Sequence, residues 1–156
     1  MAAIGEVDEA KSAIGTAVAA LGPGKLLNQL RAIQNELFDL GADLATPEGV
    51  DGALRIVERQ VFRIEEEIDA MNKALDPLTS FILPGGSMAV ALTHQARCVV
   101  RRAERAAVAL HEAEPVNLHA LAYLNRLSDH LFVAARHLAA SEGGDVLWQP
   151  GATRDS

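Results

Sequence analysis

Apolar residues recur at helical spacing along most of the chain. Val7, Ala10, Ile14, Ala17 and Val18 share one face and predict a helix over about 6–20. Gly22-Pro23-Gly24 ends it, because proline and two glycines continue a helix only at a cost. Leu26, Leu30, Ile33, Leu37 and Leu40 predict a second helix over 25–44. Thr46-Pro47 reads as an N-cap followed by a first-turn proline, so a third helix is expected from there to Leu75, where Asp76-Pro77 stops it. Arg55, Glu58, Arg59, Glu65 and Glu66 would form its solvated side. Residues 78–86 break all periodicity at Pro84, Gly85 and Gly86. Ser87 can cap a fourth helix running to Glu112, and Asn117 a fifth running to about Ser141.

Short links between long helices imply antiparallel neighbours, hence an all-α, five-helix up-and-down bundle. The organisation expected is one helical domain over 1–142 and a flexible tail over 143–156, rich in Gly and polar residues, in which Trp148 can dock. Composition agrees. The 156 residues are 49% hydrophobic but only 4% aromatic, with Ala and Leu dominant, which favours packed helices. Cys98 is the only cysteine, so no internal disulfide is possible and a reducing, cytoplasmic setting is expected. No apolar run reaches the roughly 20 residues that span a bilayer. The net charge of -7 argues against nucleic acid as a partner.

Charge along the chain is uneven. Arg97, Arg101, Arg102 and Arg105 lie within nine residues of an acidic protein. Arg97, Arg101 and Arg105 are spaced i, i+4, i+8 and line one helical face, with Glu104 able to orient Arg101. Guanidinium groups suit bidentate binding of phosphate or carboxylate oxygens. The alternative is a set of interhelical ion pairs with Asp129, Asp39 or Glu36, and spacing leaves both open. On the fifth helix Asn125 and Asp129 share a face near Phe132. Phe81-Ile82-Leu83-Pro84 is apolar for a loop, either a plug at one end of the bundle or a wall of a ligand pocket. Cys98, between Ala96 and Val99, reads as a small buried hydrophobe. The histidines at 94, 111, 119, 130 and 137 include no i, i+4 pair and no Glu-x-x-His, so a protein-built transition-metal site is not expected, and His94 reads as core or pocket lining.

FILPGG (81–86), ARCVVRRAER (96–105) and YLNRLSDHLFVAAR (123–136) resemble the PduO-type ATP:cob(I)alamin adenosyltransferases. VDEAKSAIG (7–15) resembles that family's first-helix motif. The matching order and spacing cover nearly the whole chain. The resemblance implies a homotrimer of five-helix bundles, with ATP and corrinoid at the subunit interfaces. It implies transfer of the 5′-deoxyadenosyl group of ATP to cobalt of cob(I)alamin, with triphosphate released and Mg²⁺ held mainly by the phosphates. Arg101, Arg102, Ala103, Glu104, Arg105 and Asn125 would contact ATP, with Arg101 stabilising the triphosphate and Glu104 ordering the site. Phe81 would displace the lower ligand of cobalamin, and Arg97 would pair with Asp8 across the subunit interface. A reductase and an adenosylcobalamin-dependent client enzyme are further partners of such a protein.

The chain departs from the family pattern at a few positions. A Thr-Gly-Asp-x-Gly-x-Thr type loop that wraps the triphosphate does not precede the first helix here, and the expectation is that this segment lies outside the given sequence. Ala10 and Lys11 replace leucine and asparagine, and Thr93-His94 stands where Leu-His is common. The runner-up reading is a non-catalytic corrinoid-binding or delivery protein of the same fold.

Overall fold

The computed structural model describes residues 2–154. Five helices follow in order: α1 (Ala2–Ala19), α2 (Lys25–Ala45), α3 (Glu58–Asn72), α4 (Met88–Ala113) and α5 (Leu118–Ala140). The all-α, up-and-down bundle expected from the apolar spacing is what forms. α4 packs between α1 and α5, α3 packs on α5, and α2 lies on α1 and touches α5. The core runs through all five, from Val7, Ala10 and Ile14 through Leu30, Leu37 and Ile64 to Ala96, Ala103, Tyr123 and Leu127. α4 contributes mostly alanine and valine to it. Small side chains let α1 and α5 approach α4 closely and leave its long polar side chains outside the core.

The caps foreseen for the last two helices are present. Ser87 accepts a hydrogen bond from the Val90 amide at 3.4 Å, and Asn117 one from the His119 amide at 3.0 Å. Gly86, just before the Ser87 cap, has φ 104°, a conformation that glycine adopts freely.

The third helix does not start at Thr46-Pro47. Thr46 instead closes α2, its hydroxyl donating to the Ala42 carbonyl at 2.9 Å, and α3 begins twelve positions later at Glu58. The reason is a buried carboxylate. Asp43, 1% exposed, accepts from Arg55 Nη1, the Ile56 amide and Asn117 Nδ2, each at 2.8 Å. Arg55 also donates to the carbonyls of Asp43, Thr46 and Pro47 at the end of α2. Arg55 is therefore no member of a solvated helix face. Its guanidinium satisfies carbonyls that a helix end leaves free, and this holds 46–57 as an ordered link. α3 also ends earlier than expected, at Asn72 rather than Leu75, and α1 begins earlier, at Ala2.

The tail, expected to fray, is tied down after α5. The Leu83 amide donates to the Val146 carbonyl, and the Trp148 amide to the Phe81 carbonyl, each at 2.8 Å, around an antiparallel bridge between Ile82 and Leu147. Arg136 secures its base, donating from Nε to Asp145 at 2.9 Å and from Nη2 to the Asp76 carbonyl at 2.8 Å.

Candidate active site

Helices α4 and α5 run antiparallel and share a seam. Asn125 Nδ2 donates to Glu104 at 3.0 Å. Seven residues down each helix, the Arg97 guanidinium lies over the Phe132 ring, 5.7 Å from its centroid. Seven residues of helix rise about 10 Å, so the two contacts mark a strip of that length. Arg101 lies between them in the sequence of α4, one turn from Arg97 and one turn from Arg105. Among the described residues, Arg101 and Arg105 have no ion-pair or hydrogen-bond partner. The alternative of interhelical pairing with Asp129, Asp39 or Glu36 therefore fails for both. Glu36 is occupied elsewhere, by Arg63, Tyr123 and Gln60. Two exposed guanidinium groups on one face, next to a carboxylate–amide pair, form a surface that attracts a polyanion.

Glu104 bonds to Asn125 rather than to Arg101. Asn125 is further fixed by Arg126, which donates to its Oδ1 at 3.1 Å and to Glu65 at 2.8 Å. Its amide is thus oriented before any ligand arrives. Arg102 points the other way and pairs with Glu6 and Glu9 of α1. Ala103 is fully buried in the core, where it sets the spacing of α4 from its neighbours. Asp129 is exposed on α5, one turn from Asn125.

At the Arg97 end the seam opens into a groove of about 710 Å³ lined by Leu78, Phe81, Ile82, Arg97, Phe132 and Trp148. That volume falls within the range of small-molecule sites, about 300–1,000 Å³. Phe81 is 75% exposed and stands against Trp148, ring centroids 5.8 Å apart. The loop is therefore a wall of a groove, and its aromatic side chain faces outward. The backbone bridge to residues 146–148 holds that side chain in position.

Arg97 and Asp8 do not meet within one chain. Asp8 is paired with Lys11 at 2.9 Å, and Arg97 Nε is buried without a hydrogen-bond partner. Lys11 also lies over the exposed Phe38 ring, 3.1 Å from its centroid. Cys98 is exposed, contrary to the expectation of a buried hydrophobe. It lies on the side of α4 turned away from Ala96 and Val100, and its sulfur receives Arg97 Nη2 at 3.8 Å. His94 is buried as pocket lining, near the Phe132 ring.

Sequence reasoning missed the Arg136–Asp145 pair and the pairing of Phe81 with Trp148. Trp148, the sole tryptophan, on an otherwise polar tail was the signal available for the second. The first has none, since an arginine inside a helix pattern reads as solvated.

Comparison with known proteins gives the family of the chain. The family described as cobalamin adenosyltransferase matches residues 1–138. A corrinoid adenosyltransferase of Mycobacterium tuberculosis is 48% identical over 160 residues, covering 99% of this chain and 82% of that protein. One from Bacillus subtilis is 46% identical over 154 residues, covering 95% of this chain and 79% of that protein. A variant PduO-type ATP:corrinoid adenosyltransferase from Lactobacillus reuteri, solved in complex with cobalamin and ATP, superposes with a TM-score of 0.88 at 38% identity, covering 96% of this chain and 83% of that one. With that extent of match and the same five-helix fold, this chain belongs to the cobalamin adenosyltransferase family.

Proposed function

We infer that this protein transfers the 5′-deoxyadenosyl group of ATP to the cobalt of cob(I)alamin, giving adenosylcobalamin and triphosphate. The observation that carries the reading is the continuity of the α4–α5 seam. Partnerless Arg101 and Arg105 and the preset Glu104–Asn125 pair run directly into the groove walled by Phe81 and Trp148. One strip thus offers cationic groups for a triphosphate and an aromatic wall for a flat macrocycle.

The chemistry asks little else of the protein. The cobalt(I) lone pair attacks C5′, the C5′–O bond breaks, and its electrons leave on the triphosphate. The substrate is the nucleophile, so no activated side chain is needed. The protein's task is to align C5′ with cobalt and to stabilise the negative charge gathering on the leaving group. Arg101, with Arg105, does the second; Asn125, oriented by Glu104 and Arg126, holds the nucleotide. Among the described residues no three His, Cys, Asp or Glu side chains converge as a metal cage. A Mg²⁺ ion here would be held by phosphate oxygens and water, its usual arrangement with nucleotides.

Phe81 occupies the side of the cobalt where a lower ligand would bind and disfavours that ligand. A four-coordinate cob(II)alamin is easier to reduce to the nucleophilic cob(I) state. Fully burying a phenylalanine side chain is worth about 1.5–3 kcal/mol, so Phe81→Ala should lower the four-coordinate fraction roughly tenfold or more. The change is read in the cob(II)alamin spectrum with ATP present, and ATP affinity should stay close to normal. An unchanged spectrum would remove Phe81 from this role.

The working unit is a homotrimer in which Arg97 of one subunit pairs with Asp8 of the next. Supporting this are the buried, unpartnered Arg97 Nε and the exposure of Asp8. A reductase that delivers the electron and an enzyme that uses adenosylcobalamin are the partners such a reaction needs. No helix among the described residues is long and apolar enough to cross a membrane. The single cysteine suits a cytoplasmic location.

The deciding experiment is an anaerobic assay with ATP, Mg²⁺ and chemically reduced cobalamin, following loss of the cob(I) absorbance. Turnover is expected. Corrinoid binding without turnover, in a protein carrying any residues that precede this sequence, would instead establish the binding or delivery role.

A further inference from the structure

A second cavity, of about 380 Å³, lies behind the Phe81 loop. Its lining includes Ile82, Gly86, Val90, His94, Asp145 and Val146. His94 is 2% exposed, and neither of its ring nitrogens has a hydrogen-bond partner. Asp145 accepts from Arg136 with Oδ2, and its buried Oδ1 has no partner. Unpaired buried polar atoms are costly in a folded protein, and their donor and acceptor pattern selects what satisfies them.

That pattern is specific. Burial pushes the His94 pKa down, the Arg97 charge pushes it the same way, and Asp145 opposes both. A neutral imidazole offers one donor and one acceptor. His94 and Asp145 both line the cavity, and with the Asp145 oxygen the two side chains hold two unanswered acceptors and one donor. A primary carboxamide is the complement, with two N–H donors and one carbonyl. A carboxylate would set a second negative charge against Asp145, and an ammonium would leave the imidazole N–H unanswered. The cavity also adjoins the groove already assigned to the corrinoid, since Ile82 lines both. The corrin macrocycle is fringed with acetamide and propionamide arms.

We propose that the His94–Asp145 cavity receives one carboxamide arm of the corrinoid, so that this protein distinguishes a fully amidated substrate from a partly hydrolysed one. The proposal rests on the adenosyltransferase reading and adds a specificity subsite to it.

The test is a spectroscopic titration of the full chain, with ATP, using cobalamin and its three propionamide monocarboxylates. One of the three acids should bind at least about tenfold more weakly than cobalamin, because a charge is forced into a site built for a neutral hydrogen-bonding group. Asp145→Asn should bring that acid to within about threefold of cobalamin, since the repelling charge is gone. His94→Leu should weaken cobalamin itself. Trp148 is the only tryptophan, so its fluorescence reports whether the tail stays docked in each variant. Equal binding of all three acids by the unaltered protein would overturn the proposal, as would discrimination that persists in Asp145→Asn with the tail docked. Cobinamide keeps the ring amides and lacks the lower base; if His94→Leu weakens cobalamin and spares cobinamide, the cavity holds the base and the proposal fails. No binding of cobalamin at all would sink the adenosyltransferase reading with it, a result distinct from binding without discrimination.

Discussion

Arg101→Ala is expected to lower turnover by roughly two to three orders of magnitude, the usual loss when one preorganised charge-stabilising donor is removed from a transition state. The fold should not notice. Arg101 is exposed and has no partner among the described residues, and surface changes of that kind usually stay within about 0.5 kcal/mol. Helical content and melting temperature should therefore match the parent while adenosylation collapses. Arg101→Lys should fall between the two, because an ammonium keeps the charge but not the two-pronged grip on phosphate oxygens. A large drop in melting temperature for Arg101→Ala would mean that the residue supports the bundle and that the leaving-group assignment is wrong. Normal turnover would dismiss the assignment outright.

The largest effect on stability is expected at Glu36→Ala. Glu36 is 7% exposed and gathers three helices: it accepts from Arg63 at 2.7 Å and Gln60 at 3.0 Å of α3, and from Tyr123 at 2.9 Å of α5. The hydrogen bond to Glu36 is the main reason the Arg63 pKa is raised. The Tyr123 hydroxyl is also pushed up, by burial first and then by the Glu36 charge. Removing Glu36 leaves the buried Tyr123 hydroxyl and Gln60 without their acceptor, while Arg63, 30% exposed, keeps Glu67 at 3.1 Å, so the cost is about 1–3 kcal/mol. For a domain of this size that is a fall in melting temperature of roughly 5 °C. A shift of under about 2 °C for Glu36→Ala would show that the network adds little; that bound follows from the same size scaling.

These two residues also show what the sequence reveals and what it hides. Arg101 was visible because helical spacing puts it in line with Arg97 and Arg105, and because five arginine-rich residues followed by Leu-Asn-Arg-Leu-Ser-Asp make a specific motif. Spacing could not say whether the arginines were free or paired, since that depends on how α4 is rotated against its neighbours. Glu36 lay open to the wrong reading for the same reason. It was a candidate partner for the seam arginines, and its true partners are the side chains that α3 and α5 bring to it, Gln60, Arg63 and Tyr123. Thr46-Pro47 misled in a different way. It is a sound local start signal, but Asp43 and Arg55 compete for the same backbone from either side, and neither interaction is local enough to read. The apolar periodicity, by contrast, was decided residue by residue, so the five helices and both later caps were legible.

The bridge between Ile82 and Leu147 has a consequence for the order in which the protein is made. Ser80 and Trp148, joined at its edge, are 68 positions apart. Chains fold largely from the N-terminal side as they emerge from the ribosome, and contacts between distant residues come late. α4, with Arg101 and Arg105, is synthesised well before residues 146–148 exist, and α5 follows soon after. Through that interval the Phe81 loop has no strand beside it, and its carbonyl and the Leu83 amide are left to water. The newborn protein thus completes the arginine end of the seam first and the Phe81 groove last, when the tail arrives to brace the aromatic wall.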